Sequence, residues 1–172
     1  MVADDEPVNR KMLRIILDKI PACNKVFLSE NGQQLLDQVA ANPDDAQLII
    51  SDIMMPGMNG PEAVAKIFTE TRSSAFVVFV SGGNLRDDDK EILQELLQDE
   101  RVLGVMAKPF SRDDVHASFF AACSLDDEAR REDSRKNLRA LTRDAALPIS
   151  NCNVRDLPDR FQKPKLEAPE SL

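Results

Sequence analysis

Five side chains suited to joint chemistry come at the ends of apolar, strand-like runs. Asp4 and Asp5 follow Met1-Val2-Ala3, and Asp52 closes the stretch opened by Leu48-Ile49-Ile50. Ser81 ends Phe76-Val77-Val78-Phe79-Val80, and Lys108 follows the run from Val102 to Ala107. Three carboxylates held close repel one another unless a cation offsets them. A hard dication suits them, because Mg²⁺ typically takes one or two protein carboxylates and keeps waters for phosphate oxygens. Lys108 adds a positive charge, and Ser81 a hydroxyl able to donate to an oxyanion. This set matches phosphoryl transfer, whose transition state spreads charge over three oxygens and is helped mainly by positioning and electrostatics. Asp52 can act as an in-line carboxylate nucleophile that forms an acyl phosphate. Asp5, with Asp4 behind it, can hold Mg²⁺, while Ser81 and Lys108 contact the remaining oxygens.

The elements that must position these residues alternate in type. Val8, Met12, Ile16 and Ile20 recur at four-residue steps with Leu13 and Leu17 beside them, an apolar helix stripe that Pro7 opens. Lys25-Val26-Phe27-Leu28 reads as a strand, and Asn31-Gly32 breaks it before a helix with Leu35, Leu36 and Val39. Leu48-Ile49-Ile50 is a continuous apolar run, as in a strand covered on both faces. Pro56 to Gly60 is a loop, and Pro61 opens a helix with Val64, Ile67 and Phe68. Further helices carry Ile92, Leu93, Leu96 and Leu97, then Val115, Phe119 and Phe120. Such alternation predicts an α/β fold, a parallel sheet with helices on both faces, whose ligands sit at the carboxyl ends of the strands. The first strand, Met1-Val2-Ala3, is shortened against a usual length of about five or six residues.

Four blocks now stand in order: Val-Ala-Asp4-Asp5-Glu6-Pro7, Ile-Ile-Ser-Asp52-Ile-Met-Met-Pro56-Gly-Met-Asn-Gly60, Phe-Val-Ser81-Gly-Gly, and Ala-Lys108-Pro109-Phe110. Together they resemble the signature blocks of response-regulator receiver domains, of the chemotaxis-receiver kind, over roughly residues 1–123. The resemblance implies a doubly wound, flavodoxin-like five-stranded parallel sheet of order 2-1-3-4-5. It implies Asp52 as phosphoacceptor, Asp4 and Asp5 as the acidic pair, and Met54 as a metal ligand through its backbone carbonyl. Ser81 becomes the hydroxyl switch and Lys108 the phosphate-binding lysine, with a cis bond expected before Pro109. The implied partners are a sensor histidine kinase or phosphotransfer protein as donor, and an output protein that the sequence does not name. The implied enzymology is at most self-phosphorylation from a donor and autodephosphorylation.

One departure bears on the output. The family usually carries Tyr or Phe three residues before the lysine, where this chain has Val105. An aromatic swing that reports phosphorylation is therefore unavailable, which leaves a phosphorylation-independent interaction module as the alternative reading. A Mg²⁺-dependent phosphohydrolase of the haloacid dehalogenase kind needs Asp-x-Asp after its first strand, and Asp4-Asp5-Glu6 lacks that spacing.

The remaining residues read plainly. His116 is expected on an exposed helix face, and Asp87-Asp88-Asp89 as a solvated helix start whose charge favours the N-terminus. Cys23, Cys123 and Cys152 match neither a disulfide framework nor a zinc pattern, and are expected as free thiols in a reducing compartment. The expected domains are a receiver at 1–124, a charged helical extension at 125–147 with the stripe Leu138, Leu141 and Ala145, and a flexible Pro-rich tail at 148–172. Of the net charge of −8, all belongs to residues 1–124, where the cation site is placed; residues 125–172 balance to zero. Neither half is a basic nucleic-acid footprint. No apolar run approaches the ~20 residues of a membrane span, and the acidic start is not a signal peptide, so a cytoplasmic location is expected.

Overall fold

The computed structural model describes residues 1–83 and 87–124, so the expected extension and tail at 125–172 lie outside the described residues, as does Cys152. Within them run β1 (Val2–Ala3), α1 (Pro7–Leu17), β2 (Leu28–Ser29), α2 (Gly32–Ala41) and β3 (Leu48–Asp52). Then follow α3 (Gly60–Glu70), β4 (Phe76–Ser81), α4 (Asp87–Leu96), β5 (Val102–Ala107) and α5 (Arg112–Ser124). The strands form one five-stranded sheet of order β2-β1-β3-β4-β5, every pair parallel.

Period-two alternation sends side chains to two cores. On β4, Val77 and Phe79 join Leu35, Val39, Val64, Ile67 and Leu93 from α2, α3 and α4. Val78 and Val80 join Leu13, Ile16 and Leu17 of α1 and Val115 and Phe119 of α5 on the opposite face. A sheet buried on both faces explains the unbroken apolar runs of β3 and β4.

Four expectations about these elements are corrected. The buried stripe of α1 is Leu13, Ile16 and Leu17, continued by Ile20, whereas Val8 is 74% and Met12 37% exposed. The second strand is Leu28–Ser29 rather than Lys25 to Leu28. Its neighbour β1 has two residues, so the ladder is short: Val2 pairs with Leu28 and Ala3 with Ser29, although the Val2 amide still reaches the Phe27 carbonyl at 2.8 Å. Asp89 is not solvated; it is buried on α4 and accepts a hydrogen bond from Asn59 Nδ2 at 2.8 Å. His116 is half-buried, with its ring edge-on to Phe120 at 6.4 Å.

At the amino ends of the strands lies a cleft lined by Leu17, Val26, Leu48, Phe119, Cys23 and Cys123, of which Cys23 is a free thiol. The Met1 ammonium is buried there and donates to the Leu48 carbonyl at 2.5 Å. The opposite, carboxyl end of the sheet holds the polar residues singled out by the sequence.

Candidate functional site

Sheet register decides how these residues meet. Ala3 pairs with Ser51 and Asp52 with Val80, so Asp4 leaves β1 beside the end of β3. Ser81 pairs with Ala107, and the Lys108 amide donates to the Ser81 carbonyl at 2.7 Å. Asp4, Asp52, Ser81 and Lys108 therefore converge on one edge. One carboxylate oxygen from each of Asp4, Asp5 and Asp52 falls within 4.8 Å of the others. Asp4 and Asp52 are buried and Asp5 is exposed, so the cluster has one open side.

Lys108 holds the two buried carboxylates together. Its ammonium lies 2.5 Å from Asp52 Oδ2 and 2.9 Å from Asp4 Oδ2, with the side chain 19% exposed. Burial pushes the Asp52 carboxyl above its usual range; the Lys108 bond offsets part of that, and the charge of Asp4 adds to the rise. Burial alone would depress Lys108, but its bonds to Asp52 and Asp4 outweigh that and hold the ammonium above its ordinary value. Both directions follow from charged groups withdrawn from water and paired with one another. The Lys108–Pro109 bond is cis, as expected.

The loop after β3 is shaped by close backbone approach. The Met54 amide donates to Asp52 Oδ1 at 3.2 Å, and the Gly60 amide to the Ile53 carbonyl at 3.0 Å. A Cβ on Gly60 would meet the Asp52 carbonyl oxygen at 2.1 Å, so the loop closes this way only with glycine there. Met54 is 38% exposed beside the cluster. Ser81 is buried, and its hydroxyl donates to the Gly83 carbonyl at 3.4 Å.

The structure thus brings together Asp4, Asp5, Asp52 and Lys108, and sets Met54 and Ser81 at the ends of the adjoining strands. It also adds residues that the sequence reading passed over. Asn9 Nδ2 donates to both Asp4 oxygens at 3.2 Å. Arg10 Nη1 donates to the Asp4 and Asp5 carbonyls at 2.7 and 2.9 Å. Asn59 caps α3 in a reciprocal capping box with Glu62, a pattern visible as Asn-x-x-Glu in the sequence.

Residues 1–120 match the family model for the response regulator receiver domain. The chain belongs to that family. It is thereby a receiver domain of two-component systems, and its sheet order is the one receivers share. Protein PilH of Pseudomonas aeruginosa is 30% identical over 91 residues, which is 52% of this chain and 71% of that protein. A protein-glutamate methylesterase/protein-glutamine glutaminase of Colwellia psychrerythraea is 29% identical over 165 residues, 94% of this chain but 41% of that protein. The receiver therefore spans less than half the length of that relative. A CheY-like receiver domain protein from Methanospirillum hungatei superposes with a TM-score of 0.58 at 25% identity, covering 70% of this chain and 90% of the other. Among the described residues of this receiver, no helix is long and apolar enough to cross a membrane.

Proposed function

We propose that this receiver is a phosphorylation switch in which Asp52 takes a phosphoryl group from a partner histidine kinase or phosphotransfer protein. The observation that carries this is the cluster itself: three carboxylates within 4.8 Å at a sheet edge, two of them bridged by Lys108. Purely structural packing gives no reason to gather three like charges there, since each added carboxylate raises the cost of ionising the others.

The donor set fits a hard dication. It offers oxygen ligands only, on a site open at Asp5. Asp5, Asp4, Asp52 and the Met54 carbonyl would hold Mg²⁺, which supplies charge neutralisation for phosphoryl oxygens when bound. The residues of the chain do the rest. The Met54 amide bond to Asp52 Oδ1 and the Lys108 bond to Oδ2 fix the carboxylate, so that one oxygen can attack in line. Asp52 forms an acyl phosphate as the donor's bond to phosphorus breaks and its leaving group departs. Lys108 then exchanges a carboxylate oxygen for a phosphoryl oxygen. Ser81 turns its hydroxyl from Gly83 towards the same group.

That exchange gives a switch its two states, because Lys108 and Ser81 sit on the segments leading out of β5 and β4. Val105 is buried among the side chains of the α3 and α4 face, so the signal is not read through an aromatic ring at that position. A cytoplasmic location accords with such a donor. The purified chain with Mg²⁺ and acetyl phosphate is expected to take a single label that a chelator prevents. A chain that takes no label under these conditions is a contact module, and the switch reading fails.

A further inference from the structure

We infer that Arg10 is a positioning residue for the acidic site, acting through the backbone of the Asp4–Asp5 loop without touching a ligand oxygen. The inference rests on the reading of Asp4, Asp5 and Asp52 as a cation-binding phosphorylation site.

Arg10 lies on α1, four residues after Glu6, whose carbonyl accepts its amide at 3.2 Å. Its side chain turns back under the loop and is 11% exposed. One terminal nitrogen, Nη1, meets two successive carbonyls, Asp4 O at 2.7 Å and Asp5 O at 2.9 Å. In an extended strand successive carbonyls alternate in direction as the side chains do. Their convergence on one nitrogen marks where the chain leaves β1 and turns. That turn brings the Asp4 and Asp5 carboxylates to the same side, within 4.8 Å of each other and of Asp52.

The other fork of the guanidinium, Nη2, donates to Glu30 Oε1 at 2.9 Å on the segment between β2 and α2. Glu30 ties the turn to the neighbouring strand. The planar, multidentate guanidinium can hold two carbonyls and a carboxylate at once, which a lysine ammonium on a flexible stem cannot reproduce. Asn9, one residue earlier, grips the Asp4 carboxylate directly, so backbone and side chain of the turn are held by adjacent residues.

The test is Mg²⁺ binding by the full chain, followed by calorimetry, with thermal melting as the check on folding. Arg10→Lys keeps the charge and loses the fork; roughly tenfold weaker Mg²⁺ binding is expected, about 1.4 kcal/mol. Arg10→Met should weaken binding in the same direction. Glu30→Gln leaves both carbonyl bonds in place and keeps an oxygen able to accept from Nη2, and because the Glu30 side chain is 62% exposed and its charge screened by solvent, Mg²⁺ affinity should stay within about twofold of wild type. In labelling by acetyl phosphate, Arg10→Lys should raise the half-saturating Mg²⁺ concentration and leave the rate at saturating Mg²⁺ close to wild type. A folded Arg10→Lys chain with wild-type Mg²⁺ affinity overturns the inference, as does a Glu30→Gln loss as large as that of Arg10→Lys. A wild-type chain that binds no Mg²⁺ overturns the site reading beneath it, and is seen before any variant is compared.

Discussion

Lys108 Nζ and Asp52 Oδ2 lie 2.5 Å apart across 56 positions of sequence, joining the end of β5 to the end of β3. The same ammonium reaches Asp4, so a single lysine balances two buried carboxylates. Lys108→Ala should therefore separate acceptance of the phosphoryl group from the structural response to it. Asp52 still takes label, because its carboxylate and the acidic pair remain. The hydrogen-exchange change that labelling produces in wild type should disappear around β5 and the segment after it. Identical exchange changes in labelled wild type and labelled Lys108→Ala would show that the lysine transmits nothing.

A second relationship concerns stability rather than chemistry. Asn59 caps α3 through Glu62 and also donates to the buried carboxylate of Asp89 on α4. Asn59→Ala removes a helix cap, about 1 kcal/mol. It also deprives a buried carboxylate of a donor, about 1–3 kcal/mol. Urea unfolding should show a combined loss of roughly 2–4 kcal/mol. A loss no larger than that of Glu62→Ala would mean that the Asp89 bond contributes nothing.

The receiver boundary yields a prediction for the rest of the chain. The family match ends at residue 120, and every residue of the proposed site lies between Asp4 and Lys108. Deleting residues 125–172 should leave the rate of Asp52 labelling near that of the whole chain. A large loss of labelling in a folded truncated chain would place part of the site beyond the receiver.

Much of this site was legible because its members are local punctuation. Asp4, Asp5, Asp52, Ser81 and Lys108 each end a strand-like run, and a parallel sheet carries all such ends to one edge. The residues that brace the site were not legible for the opposite reason. Arg10 looks like any charged helix position until the strand order sets Glu30 beside it. Asp89 looks like a solvated member of an acidic run until α4 packs beside α3 and Asn59 meets it. Periodicity placed α1 but not its facing, because Val8 and Met12 fit the four-residue step while Leu13, Ile16 and Leu17 face the sheet. Such choices depend on partners distant in sequence, which no local pattern contains.

The central claim is that Asp52 is the acceptor, and chemical mapping of the label tests it most directly. After incubation with Mg²⁺ and acetyl phosphate, borohydride reduces an aspartyl phosphate to homoserine, and peptide mass spectrometry locates the residue converted. The conversion should fall on Asp52 alone and vanish in Asp52→Asn. Conversion at Asp4, Asp5 or any other carboxylate, or label of equal yield in Asp52→Asn, would contradict the account.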